Sequence, residues 1–245
     1  MSQDTKPTKD TIDSIPQAAR GQDVLIILLV IFAAVFFVIN LLPQWLPALT
    51  SSATGNAPKV YWFLSRGSAI AAYWLLWLSV AMGVGITNKM ARVWPGMLPA
   101  CEIHQFTSLL GLAFALFHGL ILTGDAYINI SIVQVLIPFT AQSYRPTWVG
   151  IGQVVFYVWA LIVLSFYVRK RIGKKAWRIF HYSGYICFLG VMVHSIFSGS
   201  DTTTIWSQYI YWFSGASLLL LTVYRVLISL YPPKSEKANQ LSENI

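Results

Sequence analysis

The chain has 245 residues, of which 56% are hydrophobic and only 11% are charged. A soluble domain carries about 25% charged residues, so this composition excludes an ordinary soluble protein. The net charge of +8 comes from basic residues that lie between long apolar runs, as they do in the loops of membrane proteins. We therefore interpret the positive charge as a signal of membrane topology, and we expect no nucleic-acid partner.

Six apolar segments follow one another along the chain, and each reaches the ~20 residues that a helix needs to cross a ~30 Å hydrocarbon core. Backbone polar groups cannot stay unpaired in lipid, so these segments should be helices. The sequence thus predicts an all-α integral membrane protein, a bundle of six transmembrane helices in contact with lipid. The segments cover residues 24–42, 60–86, 102–123, 148–168, 176–197 and 206–230.

The distribution of lysine and arginine predicts the orientation of these spans. Fourteen of these residues fall on the side of the two termini, whereas only Lys59 and Arg145 fall on the other side and Arg66 lies inside the second span. Positive residues favour the cytoplasmic side. We therefore expect a multi-pass protein of the cell (inner) membrane, with a 24–230 membrane domain and cytoplasmic tails at 1–23 and 231–245.

The chain has four histidines, and each lies within a predicted span. His104 and His118 are 14 residues apart on the third span, and His181 and His194 are 13 apart on the fifth. At 1.5 Å per residue, 14 residues correspond to about 21 Å of helix. Since both spans run from inside to outside, His104 and His181 should be level near the cytoplasmic side, and His118 and His194 near the outer side.

Two facing imidazoles at each level are what a six-coordinate haem iron requires, and helix bundles build cofactor sites in this way. A zinc site is disfavoured because neither level gathers three ligands. Without a CxxCH motif, any haem would be non-covalent, of b type. We predict two stacked haem b groups, the inner one held by His104 and His181 and the outer one by His118 and His194.

The angular spacing differs between the two spans. On the third span, 14 residues fall about 40° short of four turns, so its two histidines share a face. On the fifth span, 13 residues fall about 140° short, so an ideal helix would point its histidines apart. Either the fifth helix is irregular, with Gly184 or Gly190 permitting it, or the two haems are rotated relative to one another.

Two further residues are candidates for haem binding. Gly111 lies midway between His104 and His118, where a missing side chain would let a flat macrocycle approach the helix, although a glycine also suits plain helix packing. Arg66, in the outer half of the second span, needs an anion. Propionates of the outer haem would supply one, and snorkelling to the outer headgroups is the alternative.

The segments EIHQFTSLLGLAFALFHG (102–119) and WRIFHYSGYICFLGVMVHS (177–195) resemble the ferric reductase-like transmembrane domain family. That family includes ferric reductases, NADPH oxidases and the haem subunit of bacterial methionine-sulfoxide reductases. The resemblance covers residues 24–230 and implies the same two ligand pairs on the third and fifth helices. The stretch SRGSA around Arg66 is similar to the second-helix arginine that lies near the outer haem in NADPH oxidases.

Reductases and oxidases of this family usually continue into a flavin- and NADPH-binding domain. This chain ends about fifteen residues after its last predicted helix and has no GxGxxG that follows a strand. We therefore expect a separate electron donor, either a flavoprotein or a membrane quinol. The acceptor on the outer side would be ferric iron, oxygen or a periplasmic redox protein.

The sequence predicts a dihaem b-type membrane cytochrome that passes electrons across the bilayer, as an oxidoreductase or as its transmembrane electron-transfer subunit. One alternative is a non-catalytic haem-bearing subunit of a larger respiratory or photosynthetic complex. Another is a proton or metal transporter that uses the histidines as relays or ligands. Transporters usually show broken helices or repeated halves, and the sequence shows neither clearly.

Overall fold

The computed structural model describes residues 17, 19–57, 59–88, 90 and 96–231, and this part of the chain is almost entirely helical and contains no strand. Most of the predicted tail 1–23 and nearly all of the predicted tail 231–245 lie outside the described residues. The helices are α1 (Gly21–Phe36), α2 (Pro47–Ala53), α3 (Val60–Thr87), α4 (Met97–Ile121), α5 (Ile132–Leu136), α6 (Pro146–Ile172), α7 (Lys174–His181), α8 (Gly184–Ser198) and α9 (Ile205–Leu230).

Six stretches of the described chain are long and apolar enough to cross a membrane, which fits a multi-pass membrane protein. Each predicted span lies inside one of them, so the prediction of an all-helical protein with six span-length helices is confirmed. The stretches are Gly21–Gln44, Val60–Thr87, Met97–Gly124, Pro146–Ile172, Lys174–Ser198 and Ile205–Leu230.

The fifth of these stretches is not one continuous helix. Helix α7 ends at His181 and α8 begins at Gly184. Within the interruption, the N–H of Ser183 donates to the carbonyl of Phe180, three residues back, at 3.0 Å. Such a bond is the tighter 3₁₀ type, which turns the chain further per residue than an α-helix does. Of the two alternatives raised by the 13-residue spacing, the structure therefore shows the irregular helix.

Helices α3 and α4 pack against each other along most of their length, and α6 packs against α8 in a second close pair. The α6–α8 contact is tight at Gly190, where an added Cβ would overlap the side chain of Val155. The main apolar core lies where α3, α6, α8 and α9 meet. Its buried members are Tyr73, Leu76, Trp159, Ile162, Val163, Cys187, Phe188 and Leu218.

The connection between α4 and α6 folds over one end of the bundle. The buried carboxylate of Asp125 accepts hydrogen bonds from the backbone N–H groups of Trp62, Tyr127 and Ile128, at 2.8–3.2 Å. From α6, the side-chain amide of Gln153 donates to two carbonyls of the segment around α5. These bonds satisfy polar groups that would otherwise be buried without partners, and they hold the connection against α3 and α6.

Candidate functional site

The structure brings the four histidines together as two pairs. The ring centres of His104 and His181 lie 5.8 Å apart, with 75° between the ring planes. Those of His118 and His194 lie 6.4 Å apart, with 72° between the planes. The first pair joins α4 to α7, and the second joins α4 to α8. These are the two pairs that were predicted from the depth of each histidine along its helix.

The separation of the rings has a chemical meaning. A metal–imidazole bond is about 2 Å long, so two imidazoles on opposite sides of one metal hold their ring centres roughly 6 Å apart. Both pairs have this separation. Helix α4 is unbroken from Met97 to Ile121, so its two histidines lie about 21 Å apart along the axis. The arrangement therefore places two neighbouring imidazoles at each of two separate depths along α4.

Three of the four rings are held through Nδ1 by a backbone carbonyl of a neighbouring helix. Nδ1 of His104 lies 2.7 Å from the Ser79 carbonyl, and that of His118 lies 2.9 Å from the Ser65 carbonyl. Nδ1 of His194 lies 2.8 Å from the carbonyl of Trp148. A carbonyl oxygen only accepts, so Nδ1 must carry the proton and Nε2 keeps its lone pair. This is the tautomer in which a ligating histidine is usually fixed.

The fourth ring is held differently. His181 stacks on the indole of Trp177, with ring centres 4.9 Å apart and 26° between the planes. Its Nδ1 is buried and has no hydrogen-bond partner among the residues that the structure describes. The ring is thus oriented mainly by aromatic stacking, whereas the other three are oriented by hydrogen bonds.

Two glycines leave room for the imidazoles. On α6, a Cβ added to Gly152 would overlap the ring of His194, because it would meet Cγ at 2.8 Å and two other ring atoms still closer. On α3, a Cβ added to Gly83 would lie 3.3 Å from Cε1 of His104, which is a tight contact that small shifts relieve. The backbone of α6 therefore forms one wall of the position that His194 occupies.

A cavity of about 240 Å³ lies beside the His118–His194 pair. It reaches from Arg66 and Trp206 near the ends of their helices to Tyr73 and Trp159 in the core, and its walls are mostly apolar. Apolar cavities with a few converging polar groups are typical of small-molecule and cofactor sites.

Arg66 lines this cavity, but it also has a partner that the sequence did not reveal. Its guanidinium forms an ion pair with Asp201 and donates to the hydroxyl of Ser200 at 2.6 Å, both in the connection between α8 and α9. The protein itself thus supplies Arg66 with a carboxylate, a partner that neither the propionate nor the snorkelling alternative included. Its contact with a cofactor stays a prediction.

Gly111 is buried and faces an aromatic ring of the core. A Cβ at this position would lie 2.8 Å from the indole of Trp159 and 3.1 Å from Cβ of Leu75. The space beside the glycine is thus filled by Trp159, which allows α4 to approach α3 and α6 closely. This geometry supports the packing role that was the alternative for Gly111, and gives no support to a macrocycle at its surface.

Sequence reasoning missed the residues that support the histidines: Ser65, Ser79, Trp148, Gly152 and Trp177. One signal was available. Ser65 and Ser79 are separated by the same 14 residues as the two histidines of the next helix. Trp148 and Gly152 act through a backbone carbonyl and a missing side chain, and neither leaves a mark in the sequence.

Among the described residues, no group of three or more His, Cys, Asp or Glu side chains could hold a metal ion. No protein-family model, no curated protein and no solved structure matches this chain. The resemblance to the ferric reductase-like family thus remains a prediction from the quoted motifs.

Proposed function

We propose that this chain is a dihaem b-type membrane cytochrome that passes electrons across the bilayer. A separate flavoprotein or quinol would supply the electrons on the cytoplasmic side, and an acceptor would take them on the outer side. The observation that carries the proposal is the presence of two histidine pairs with ring centres 5.8 and 6.4 Å apart on opposite halves of α4.

The donor set fits haem better than a bare metal ion. Each pair supplies two imidazole nitrogens, and no third His, Cys, Asp or Glu ligand joins either pair within the described chain. A protein-bound zinc ion takes three or four such ligands, whereas haem iron needs only two ligands beyond its macrocycle. Haem supplies a one-electron redox couple in an apolar setting where protein side chains have none.

The protein's own contribution is to hold and orient the ligands. His104 and His181 would hold one haem, and His118 and His194 the other. The carbonyls of Ser79, Ser65 and Trp148 fix three of these rings in the tautomer with a free Nε2 lone pair. At the second pair, the largely apolar cavity walls would exclude water from the site.

The orientation follows from the basic residues. The turn between α6 and α7 is flanked by five basic residues, Arg169, Lys170, Arg171, Lys174 and Lys175. This turn lies at the same end of the bundle as His181, the last residue of α7. By the positive-inside rule, this end would face the cytoplasm, so that the His104–His181 pair is the inner one and the His118–His194 pair the outer one.

One observation favours a second candidate, a proton or metal transporter. The fifth span is interrupted between α7 and α8, and broken helices occur at the binding sites of many transporters. The absence of a three-ligand group among the described residues counts against metal transport. A transporter also gives no reason for two imidazole pairs at metal-bridging distance.

The test is the haem content of the full chain, purified in a mild detergent after expression with added haem precursor. We expect a reduced-minus-oxidised spectrum of b type and two haems per chain. A variant in which all four histidines are replaced by alanine is the control and should be colourless. A wild-type protein that is folded, colourless and free of iron would overturn the proposal and favour the transporter.

A further inference from the structure

Two serines of α3 make the same set of contacts at the two histidine pairs. The hydroxyl oxygen of Ser65 lies 2.8 Å from Nδ1 of His118 and 2.9 Å from the carbonyl oxygen of the same residue. The hydroxyl oxygen of Ser79 lies 3.1 Å from Nδ1 of His104 and 3.2 Å from its carbonyl oxygen. Both serines are only 2% exposed. The contacts are therefore shielded from water at both levels.

The repetition follows from the geometry of two antiparallel helices. Ser65 and Ser79 are 14 residues apart, as are His104 and His118. Helices α3 and α4 run in opposite directions with the same rise per residue. Because the two spacings are equal, both serines lie opposite a histidine once one of them does. The protein thus contains one serine–histidine unit twice, once at each depth.

The protons of each unit can be assigned from the acceptors. The serine carbonyl only accepts, so Nδ1–H of the histidine donates towards it, at 2.7 Å for His104 and 2.9 Å for His118. The serine hydroxyl oxygen is a second acceptor for the same Nδ1–H. Its own proton is then free to donate to the histidine carbonyl. Every donor in the unit has an acceptor, so the ring is held in one tautomer and one orientation.

The histidines of the fifth span lack this unit. His194 donates to the carbonyl of Trp148, and its nearest hydroxyl, Ser198 on its own helix, lies at 3.4 Å. Nδ1 of His181 has no hydrogen-bond partner within the described part of the chain. Among the four histidines, only His104 and His118 of α4 have a serine unit. Each pair therefore contains one histidine with the unit and one without it.

We infer that Ser65 and Ser79 are positioning residues that fix His118 and His104 as iron ligands and increase the electron donation of these imidazoles. This inference rests on the proposed function. Acceptors at Nδ1–H make the opposite nitrogen more basic, and a more basic ligand stabilises ferric iron over ferrous iron and lowers the reduction potential. Each serine hydroxyl would therefore lower the potential of one haem and leave the other unchanged.

The test is a redox titration of the full chain and of its Ser65→Ala, Ser79→Ala and double variants. We expect Ser65→Ala to move one of the two haem transitions to higher potential, Ser79→Ala to move the other, and the double variant to move both. Cysteine at either position keeps the volume but accepts hydrogen bonds weakly, so Ser65→Cys and Ser79→Cys should shift the same transition by a smaller amount.

The control is Ser165→Ala. Ser165 is a buried serine of α6, and its hydroxyl donates to the Ile162 carbonyl of its own helix at 2.6 Å. Its loss should leave both transitions in place, although it also removes a buried hydroxyl. Two bound haems with unchanged potentials in both Ser65→Ala and Ser79→Ala would overturn this inference alone. A wild-type protein without haem would overturn the proposed function as well, so the two failures are distinguishable.

Discussion

Gly152 and His194 lie so close that the imidazole occupies the place where a side chain at position 152 would begin. The two residues belong to different helices, α6 and α8, and the same histidine donates to the Trp148 carbonyl one turn earlier on α6. The position of His194 is thus set by the α6 backbone on two sides.

Replacement of this glycine should therefore disable one haem site. We predict that Gly152→Ala displaces His194 and reduces the haem content from two to one per chain, because the ring and the added methyl group cannot share the space. Haem quantification and the reduced-minus-oxidised spectrum measure this. Gly67→Ala is the control, since a Cβ there meets nothing within 4 Å. Two haems with wild-type spectra in Gly152→Ala would show that His194 is not held as described.

Gly111 offers a test of packing against cofactor binding. We predict that Gly111→Ala lowers the free energy of unfolding by about 1–3 kcal/mol, as overpacked cores do, while both haems are retained by the folded fraction. Denaturant unfolding in detergent gives the free energy, and absorbance gives the haem content. In a Trp159→Leu background, the same Gly111→Ala change should cost less, because the smaller side chain leaves space for the methyl group.

Gly85→Ala is the matched control for that experiment, because the space beside Gly85 is open. If Gly111→Ala left stability unchanged but released a haem, the packing role would be wrong and Gly111 would contact the cofactor.

The Arg66–Asp201 ion pair joins α3 to the connection between α8 and α9. Both side chains are partly buried, so each is costly to leave unpaired. We predict that Arg66→Gln and Asp201→Asn each destabilise the protein and that their effects are coupled by roughly 1–3 kcal/mol in a double-mutant cycle. Thermal or denaturant unfolding of the four proteins in the cycle provides the measurement.

Lys59→Gln serves as the control partner for Asp201→Asn. The Lys59 ammonium lies over the ring of Tyr127, 3.2 Å from its centre, and makes no ion pair with Asp201 in the structure, so these two effects should add. Additive effects for Arg66→Gln and Asp201→Asn as well would mean that the ion pair contributes little in the membrane.

The features that depend on chain distance alone were predictable. Apolar length is what a membrane demands of a helix, so each of the six predicted spans lies within a helical stretch of the structure. A constant rise per residue sets the depth of every side chain, so His104 meets His181 and His118 meets His194. The spans and the depths follow without knowledge of helix packing, whereas the contacts within the pairs also required the third and fifth spans to be neighbours.

The features that depend on packing between distant segments were not predictable. Asp201 lies in a loop far along the chain from Arg66, and nothing in the sequence links the two. The 13-residue spacing indicated an irregular fifth span and named Gly184 or Gly190 for it, and the interruption lies directly before Gly184. The sequence alone did not decide between these two glycines. Gly152 is one of 16 glycines, and only the position of His194 across the interface distinguishes it.

The most direct measurement is the haem content of paired histidine substitutions. The double variant His104→Ala/His181→Ala removes both ligands of one site and should keep one haem, as should His118→Ala/His194→Ala. The double variant His104→Ala/His194→Ala removes one ligand from each site and should keep none. Equal haem content in the within-pair and cross-pair variants would contradict the assignment of ligands to two depths.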